Sequence, residues 1–591
     1  MFRQAGVFRD NQQVQERVLD SNPLERERGI TILAKNTAVY WDDVKINIVD
    51  TPGHADFGGE VERILRMVDG VVLLVDAAEG PMPQTRFVTR KALELELLSL
   101  VVINKIDRGD ARPAEVHDEV LELFMDLEAT ERQLDSPFLY AVGRDGWAGD
   151  TPDLSGGDLR PLFDGIVSHF PEPEVDSTGP FQMLVSTLDH SSYVGRIAIG
   201  RIERGQVSVG QTVALLDLGS PGMVGDVEKA EEAKVAKLYT FSGLERIEVE
   251  GANAGDIIAL TGIEGVEIGK TLSDPEHQER LLGIAVEEPT LSMDFTVNNS
   301  PFAGLSGKFV TTRHLRERLY RELEHNVALR VEDTEHPETL TVSGRGELHL
   351  SILIETMRRE GYEFQVSRPR VITRTGVDGG IQEPYEEALI EVPSEIVGTV
   401  IEKLGSRKGE MTDLRPMGDS GTTRLSLRVP ARGLVGYRSE FLTDTRGEGV
   451  LHHQFHSWGP WAGVLKGRGR GVLVADRVGK SVGFALQNLQ ERGTLFVSPG
   501  EEVYGGMIVG ENARPGDLDV NVAKEKKLTN MRAAGSDESI KLEPPRRITL
   551  EVALEFIEDD ELIEITPDAV RLRKTVLDQN MRKKAAKRAK G

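Results

Sequence analysis

Hydrophobic and polar positions alternate between residues 37 and 110 in the manner of an α/β domain. Apolar residues recur with helical spacing in one stretch, whereas the runs GVVLLVD and LSLVVINKI are short and continuously apolar, as buried parallel strands are. Strand and helix follow one another, which predicts a doubly wound parallel sheet with ligands at the carboxyl ends of its strands. The predicted elements are strands at Thr37–Trp41, Val44–Asp50, Gly70–Asp76 and Leu98–Ile106, and helices at Phe57–Val68 and Arg86–Leu97.

The rest of the chain divides where this pattern changes. A Pro-rich, acidic linker at 171–180 is followed by short apolar segments with Gly turns, which predict a β-barrel. Residues 281–372 and 382–458 each combine strands with two helical stretches, as small split βαβ modules do. Residues 461–591 mix strands with Gly-rich basic loops and end in a basic, Ala-rich helix. The predicted domains are 1–172, 173–280, 281–375, 376–460 and 461–591.

Composition excludes several classes of protein. Of the 591 residues, 39% are hydrophobic and 28% are charged, which is ordinary for a globular protein of several domains. The chain has no cysteine, which excludes disulfides, thiolate metal sites and cysteine nucleophiles and agrees with a reducing cytoplasm. The first residues carry no signal-peptide core, and no apolar run approaches the roughly 18–20 residues that cross a bilayer. We therefore expect neither secretion nor a membrane-spanning segment.

The net charge is unevenly distributed. The chain carries −26 overall, made up of about +3 over residues 461–591 and about −29 over residues 1–460. Residues 571–591 hold nine basic residues and one acid, Asp578. An acidic body with a basic end is not typical of a general DNA-binding protein, but local basic patches can dock onto a polyanion. A solvated terminal tail is the alternative interpretation.

The sequence Asp50-Thr51-Pro52-Gly53-His54 directly follows a predicted strand. An aspartate at the carboxyl end of a buried strand, followed by a glycine turn, is how a P-loop NTPase holds Mg²⁺ and senses a γ-phosphate. The glycine lets its backbone N–H approach the phosphate. A plain turn at the strand end is the structural alternative, because these residue types favour turns.

The sequence Asn104-Lys105-Ile106-Asp107 lies at the end of the predicted strand Leu98–Ile106, the second strand after the one that ends at Asp50. A carboxylate here can accept two hydrogen bonds from the N1–H and 2-amino groups of guanine, a pair that adenine does not offer. Asn104 would tie neighbouring loops together, and the stem of Lys105 would lie along the base. Because the two motifs have the spacing that a guanine site requires, their joint occurrence makes a purely structural interpretation improbable.

Two further residues complete the predicted chemistry. Thr31 lies in the charged segment Glu25–Thr31, and a Thr hydroxyl on a mobile loop can complete the Mg²⁺ shell when a γ-phosphate is present. His54 follows the Asp50/Gly53 pair and can orient the attacking water. Taken without these neighbours, the first segment is a charged surface loop and the histidine is structural.

The phosphate loop of such an enzyme is not found in the printed sequence. No G-x-x-x-x-G-K-S/T match occurs, and the partial matches at 265–271 and 479–481 are interpreted as ordinary turns. That loop supplies backbone donors to the β-phosphate, a lysine and an Mg²⁺ ligand. Losing one such donor costs roughly 3–4 kcal/mol of transition-state stabilisation, so losing the set should abolish turnover. A buried strand is missing with it, which predicts an uncovered sheet edge.

With these residues in view, the sequence resembles the BipA/TypA family of ribosome-associated translational GTPases, relatives of elongation factor G, over essentially its whole length. The runs that carry the resemblance are long and specific. They are ERERGITILAKNTA (25–38), NIVDTPGHADFGGEVER (47–63), GPMPQTRFVTRKA (80–92), VVINKIDR (101–108), LDHSSYVGRIAIGRI (188–202), SGRGELHLSILIETMRREGYEFQVSRP (343–369), RGLVGYRSEFLTDTRGEG (432–449) and KKLTNMRAAGSDE (526–538).

The resemblance implies a role for each candidate residue. Thr31 and Asp50 would bind Mg²⁺, Gly53 would sense the γ-phosphate and His54 would orient the water. The family usually has a Ser-Ala pair that places a backbone N–H on guanine O6, and Val142-Gly143 stand there in this chain. Because that donor belongs to the backbone, a changed side chain leaves it in place. The implied nucleotide-binding residues are Asp50, Gly53, Asn104, Lys105, Asp107, Val142 and Gly143.

The implied fold has five parts. They are an α/β P-loop GTPase domain without its first strand and P-loop as printed, a β-barrel, two α+β ferredoxin-like domains, and a mixed α/β C-terminal domain. The implied cofactors are GTP or GDP and Mg²⁺. The implied partner is the ribosome: the 70S particle, large-subunit rRNA and the tRNA site. We expect a cytoplasmic, ribosome-associated monomer that binds neither membrane nor DNA and acts in translation or subunit assembly under stress.

Basic residues of the net-positive end are candidates for contacts with ribosomal RNA phosphates. Plain surface loops are the alternative. The candidates are Arg468, Arg470, Lys524, Lys526, Lys527, Arg532, Arg582, Lys583 and Lys584.

Two accounts explain the missing loop. Met1 is an internal methionine taken for a start or a boundary of the expressed segment, or the chain is a short form that no longer hydrolyses GTP. We favour the first account because Thr31, Asp50, His54 and Asn104–Asp107 are all present and share a function only when a nucleotide is bound through its phosphates. The codons upstream of Met1 distinguish the two accounts. The corresponding functional alternatives are a non-catalytic ribosome- or RNA-binding factor with a vestigial nucleotide site, and an ATP-dependent P-loop enzyme, against which Asp107 argues.

Overall fold

The computed structural model describes most of the chain in two compact units. The first unit comprises residues 1–287 with 324–328, and the second comprises residues 288–323 with 329–591. The described residues are 1–8, 19, 23–28, 31, 34–52, 58–153, 156–191, 193–217, 230–281, 289–323, 326, 329–376, 379–417, 421–465, 467–525 and 541–589. Within them, no helix is long and apolar enough to cross a membrane.

The first part of unit one alternates strands and helices, as the sequence predicts. Its strands are β1 (Lys35–Trp41), β2 (Val44–Asp50), β3 (Gly70–Asp76), β4 (Leu98–Asn104), β5 (Phe138–Val142) and β6 (Trp147–Gly149). Its helices are α1 (Pro23–Arg28), α2 (Gly58–Leu65), α3 (Pro83–Glu94), α4 (Pro113–Asp126), α5 (Glu131–Leu134) and α6 (Arg160–His169).

The central sheet of this part has the order β3-β4-β5-β6. β3, β4 and β5 run parallel, and β6 is antiparallel to β5. Alternate residues of β4 point to opposite faces, so Val101 and Ile103 pack with Phe124 of α4, while Leu100 and Val102 pack with Phe163 of α6. Helices therefore cover both faces, which confirms the doubly wound α/β architecture.

The β1–β2 pair departs from the predicted single sheet. Among the described residues, β1 and β2 form their own antiparallel sheet, with Asp42 in the left-handed region at the turn. Trp41 stacks on Phe163 with ring centroids 4.3 Å apart, so the hairpin packs on α6. Among the described residues, no strand pairs with the outer side of β3, as the sequence predicts, and Leu74 on one face of this strand is 62% exposed.

The second part of unit one is antiparallel. Eight of its strands follow one hydrogen-bonded path, β12-β11-β17-β7-β9-β16-β13-β14, around one apolar core that includes Met183, Ile202 and Leu260. The strands are β7 (Gln182–Leu184), β8 (Thr187–Ser191), β9 (Gly195–Arg204), β10 (Gln206–Ser208), β11 (Thr212–Leu216), β12 (Glu231–Lys234), β13 (Lys237–Ser242), β14 (Glu245–Glu248), β15 (Gly251–Asn253), β16 (Ile257–Thr261) and β17 (Thr271–Ser273).

A polar junction joins the hairpin to this β-rich part. The Asp256 carboxylate accepts from Lys45 Nζ at 2.7 Å, from Asn47 Nδ2 at 3.2 Å and from Thr240 Oγ1 at 3.1 Å. Beside it, Ala38 and helix α2 share an apolar cluster with Ile199, Phe241 and other strand residues. The hairpin is therefore held through its contacts with the β-rich part as well as with α6.

Unit two begins with an α+β segment, in which short strands alternate with two helices. They are β18 (Leu291–Val297), α7 (Thr312–Glu322), β19 (Arg330–Asp333), β20 (Thr339–Gly344), α8 (Glu347–Arg359), β21 (Phe364–Val366), β22 (Arg370–Val371) and β23 (Arg374–Thr375). A second α+β segment follows, with β24 (Ile381–Pro393), α9 (Val397–Ser406), β25 (Glu410–Met417), β26 (Thr422–Pro430), α10 (Ala431–Leu434), α11 (Tyr437–Asp444) and β27 (Val450–Pro460).

In its described residues, the last part of unit two mixes short strands with three helices. Its elements are β28 (Val472–Ala475), β29 (Gly479–Lys480), α12 (Gly483–Gln490), β30 (Gly493–Leu495), β31 (Glu502–Val503), β32 (Met507–Asn512), β33 (Leu518–Val520), α13 (Leu550–Phe556), β34 (Glu561–Ile565), β35 (Val570–Lys574) and α14 (Gln579–Ala589). The terminal helix α14 agrees with the basic helix that the sequence predicts.

One sheet of eleven strands runs through the first and last parts of unit two. Its continuity comes from β21, which pairs antiparallel with β34 so that Gln365 lies opposite Glu564. Phe295, Leu340 and Ile354 share one apolar core with Ile563 and Ile565. The two parts are therefore joined by both backbone hydrogen bonds and a common core.

Candidate functional site

The loop after β4 is built around Asn104. Lys105 adopts a left-handed conformation with φ +63°, which turns the chain sharply at the end of the strand. The Asn104 Oδ1 accepts from the N–H of Lys105 at 2.8 Å and from the N–H of Gly143 at 2.9 Å. The Asn104 side chain therefore ties the β4 loop to the β5 loop, as the sequence predicts. A Cβ on Gly143 would lie 3.2 Å from this amide, so the position suits glycine.

Asp76 is a residue of this loop cluster that the sequence analysis missed. It ends β3 and accepts from Lys105 Nζ at 2.8 Å and from Arg108 NH1 at 3.3 Å. Burial opposes its ionisation, but the hydrogen bonds from Lys105 and from the backbone of Ala78 and Glu79 prevail and lower its pKa. Its position at the end of a buried strand, the same position as that of Asp50, was the signal available in the sequence.

Asp107 presents its carboxylate at the surface of the same loop. Its Oδ2 accepts from Arg144 NH2 at 3.1 Å, and the Arg144 side chain is 77% exposed. Val142 is buried at the end of β5, and Gly143 follows it. The loops therefore bring together Asn104, Lys105 and Asp107 with the β5 loop, and the accessible carboxylate of Asp107 is the group that a guanine edge requires.

The second candidate cluster lies at the end of the β1–β2 hairpin. The register places Lys35 opposite Asp50, so the start of β1 and the end of β2 lie side by side. Thr31 is four residues before Lys35 and belongs to the segment that enters this end. A Thr hydroxyl and an Asp carboxylate are hard oxygen ligands of the kind that Mg²⁺ takes alongside phosphate oxygens. Gly53 and His54 lie outside the described residues.

The structure does not put both clusters on one sheet. Among the described residues, β2 pairs only with β1, whereas the Asn104 loop stands on the β3-β4-β5 sheet. No group of three or more His, Asp or Glu side chains that could hold a metal occurs in the described part of the chain.

Helix α2 connects these segments through Glu60. The helix begins directly after residues 53–57, and the Glu60 carboxylate accepts from the backbone of Ala34, three residues after Thr31. Burial raises the pKa of Glu60 to about 7, although Arg63 and the Ala34 hydrogen bond act in the opposite direction. This carboxyl thus links the Thr31 segment to the helix that follows His54.

The basic candidates fall into three groups. Arg468 pairs with the fully buried Glu561 at 2.8 Å and donates to the carbonyl of Phe556, and Arg582 pairs with Asp519 and caps the carbonyl of Leu577. These two guanidinium groups are committed within the protein. Four candidates are exposed, and three lie outside the described residues. The exposed ones are Arg470, Lys524, Lys583 and Lys584, and the others are Lys526, Lys527 and Arg532.

Four protein-family models match successive segments of the chain. The Elongation factor Tu GTP binding domain matches residues 1–172, and Elongation factor Tu domain 2 matches residues 195–273. The Elongation factor G C-terminus matches residues 380–468, and the TypA/BipA C-terminal domain matches residues 470–579. Together with the doubly wound sheet, these matches define a multidomain protein with a GTPase domain of the elongation-factor type.

Curated relatives narrow this class. The chain is 52% identical over 591 residues to the large ribosomal subunit assembly factor BipA of Bacillus subtilis (strain 168), covering 100% of this chain and 95% of the relative. It is 53% identical over 586 residues to that of Escherichia coli (strain K12), covering 99% and 95%. It is 53% identical over 588 residues to that of Synechocystis sp., covering 100% and 96%. The chain belongs to the TypA/BipA family.

Proposed function

We propose that this protein binds GTP with Mg²⁺ and docks on the ribosome in the assembly of the large subunit, and that it hydrolyses GTP to GDP and phosphate there when a phosphate loop completes the site. The observation that carries the proposal is the Asn104 loop, whose fixed geometry presents the Asp107 carboxylate for a guanine edge. The name of the relatives, large ribosomal subunit assembly factor, supports the partner and the process. A role in translation under stress and a cytoplasmic, monomeric state belong to the same proposal.

Each site residue has a stated task in this proposal. Asp107 accepts from guanine, Lys105 lies along the base, and the backbone at Val142 and Gly143 faces guanine O6. Thr31 and Asp50 hold Mg²⁺, which neutralises charge on the phosphates when bound. Gly53 senses the γ-phosphate, and His54 holds the attacking water in line. Because hydrolysis of this kind needs positioning more than covalent chemistry, ordering of the Thr31 and His54 segments sets the rate.

Docking on rRNA is assigned to the exposed cations of the C-terminal part. Arg470, Lys524, Lys583 and Lys584 are exposed and belong to the net-positive region. Such side chains contribute salt-dependent affinity for phosphates, roughly one unit of log–log slope each. Lys526, Lys527 and Arg532 stay candidates on their sequence.

Two binding measurements test the proposal. Equilibrium titration with a fluorescent GTP analogue should give micromolar affinity or tighter, and cosedimentation with large subunits should be stronger with GTP than with GDP. A chain that binds subunits equally well with and without nucleotide, and binds no GTP, would instead be a non-catalytic docking factor. Replacing Lys583 and Lys584 by Ala should reduce the salt slope of cosedimentation, with Lys480→Ala as an exposed control outside α14.

A further inference from the structure

Three arginine–aromatic stacks surround the end of the sheet formed by β23, β24, β26 and β27. A guanidinium over an aromatic face is attracted by the ring quadrupole and holds the ring in place. The stacks are Arg374 over Trp458 at 4.4 Å, Arg428 over Tyr385 at 4.3 Å and Arg432 over Trp461 at 3.7 Å.

Trp461 is exposed and yet fixed. Its side chain is 42% exposed, directly after the end of β27. The backbone N–H of Trp461 donates to the carbonyl of Ile381 at 3.0 Å, and Arg432 covers part of its ring. Arg432 is itself held by two hydrogen bonds to the fully buried carboxylate of Glu383. The indole is therefore preorganised, so a ligand that stacks on it pays little ordering entropy.

The surface around Trp461 is apolar and carries an available cation. Val464 is 88% exposed and Ile381 is 59% exposed. Arg374 is exposed, and its Nε donates to the uncharged side chain of Gln382 at 2.9 Å. A free apolar surface beside a guanidinium is typical of sites that take a base and its phosphate together.

The local charge points to a polyanionic partner. No Asp or Glu occurs between Glu448 and Asp476, the stretch that holds Trp458, Trp461 and Val464. Arg468 of this stretch pairs with Glu561, so the cation that the surface offers is Arg374, which has no ion pair among the described residues. The chain as a whole carries a net charge of −26, so this stretch stands out against an acidic background. A polyanion therefore meets less repulsion here than over most of the chain.

We propose that this surface, made by Arg374, Ile381, Trp458, Trp461 and Val464, binds an unpaired RNA nucleotide, with the base stacked on Trp461 and a phosphate at Arg374. Every base has a π-face, so stacking of this kind accepts single strands, loops and bulges and excludes paired bases in a duplex. The inference rests on the proposed docking to the ribosome and names a second mode of RNA contact, distinct from the basic residues of α14.

The test uses the whole chain and a fluorescein-labelled single-stranded oligoadenylate of about 12 nucleotides. Trp461→Ala should weaken binding about 5- to 100-fold, the range expected for loss of one base–aromatic stack, and Trp461→Phe should stay within about 3-fold of wild type. Arg374→Ala should lower the salt slope by about one. Tyr193→Ala, which removes a 96% exposed aromatic side chain in unit one, is the matched control. Paired RNA of the same length should not compete.

The outcomes separate this inference from the proposed function. Wild type that binds no oligonucleotide, or Trp461→Ala that binds it as well as wild type, overturns the inference, even if wild type still cosediments with large subunits. If Trp461→Ala loses binding to the large subunit but still binds the oligonucleotide, this surface contacts a ribosomal protein and the inference is overturned. Equal weakening by Ala and Phe with a lower Tm indicates a structural stack and overturns it too. Failure of wild type to cosediment counts only against the proposed function.

Discussion

The sheet of the GTPase domain and the long sheet of unit two differ in whether a strand edge is paired with another strand. β3 stands at the end of a four-stranded sheet, with Leu74 62% exposed. β21, by contrast, is covered by β34, which comes from a distant part of the chain. A sheet with an uncovered edge is built from one continuous region of the chain. A covered edge, by contrast, joins two distant parts of the chain into one sheet, which we expect to unfold cooperatively.

Removal of the carboxylate at the covered edge should have the largest effect. Glu564 is fully buried and accepts from Asn298, Ser300, Arg571 and the hydroxyl of Tyr504, the last at 2.6 Å. Glu564→Ala leaves these donors unsatisfied and should lower the free energy of unfolding of unit two by about 3–5 kcal/mol. Urea denaturation measures this loss. Asp559→Ala, at a 79% exposed side chain, is the control and should change it by about 0.5 kcal/mol or less.

The two faces of the edge strand β3 predict a contrast between two adjacent leucines, because successive side chains of a strand point to opposite faces. Leu73 is 6% exposed and Leu74 is 62% exposed. Leu73→Ala should cost about 2–5 kcal/mol of unfolding free energy, whereas Leu74→Ala should cost about 0.5 kcal/mol or less. Thermal unfolding of both variants is the measurement. Equal losses would mean that the Leu74 face of this edge strand is covered in solution, and the comparison would fail.

A pH titration of stability tests the buried Glu60. Its pKa is about 7 in the folded chain against an ordinary value of 4.5, so between these values the folded state keeps a proton that the unfolded state releases. Stability contributed at this group should therefore be intact below about pH 4.5 and fall as pH rises towards 7. Glu60→Gln, which lacks the charge, should be more stable than wild type by about 3 kcal/mol at pH 8 and within about 0.5 kcal/mol of it at pH 4.5. A pH-independent difference would contradict the assignment.

The smallest predicted effect concerns Arg144. This exposed side chain pairs with Asp107, the residue proposed to read guanine. Because exposed ion pairs contribute about 0–1 kcal/mol, Arg144→Ala should change stability by less than that and GTP affinity by about 5-fold at most. Titration with labelled GTP at two salt concentrations measures it. A loss of binding of more than a hundredfold would assign Arg144 a direct part in nucleotide recognition.

The sequence predicted what short, continuous patterns encode. The strands β3 and β4, the helices α2 and α3, and the tie made by Asn104 all follow from local apolar runs and a strand-end motif. The sequence did not predict the β21–β34 pairing, because strand partners far apart along the chain leave no local signal. It also missed the internal ion pair of Arg468, since charge alone does not tell a buried guanidinium from an exposed one. The separate β1–β2 sheet belongs to the same class of long-range feature.

For the candidate site, the sequence predicts which strand ends carry the residues more readily than which side chains contact one another. Asn104, Lys105 and Asp107 meet the β5 loop where the parallel strands end, because the carboxyl ends of parallel strands share one edge. The capture of Lys105 by Asp76 depends on the side chain of a neighbouring strand and was missed. The tasks of Thr31, Asp50, Gly53 and His54 stay predictions.

Nucleotide selectivity of Asp107→Asn tests the central claim most directly. Wild type and variant are titrated with labelled GTP and labelled xanthosine triphosphate, with Asp110→Asn, an exposed carboxylate of the same loop, as the control. Because an amide in place of the carboxylate reverses the hydrogen-bond pattern offered to the purine edge, the variant should lose about 100-fold or more in GTP affinity and gain affinity for the xanthine nucleotide. The control should keep the preference of wild type. Equal affinities for both nucleotides in wild type and variant would contradict a guanine site at Asp107.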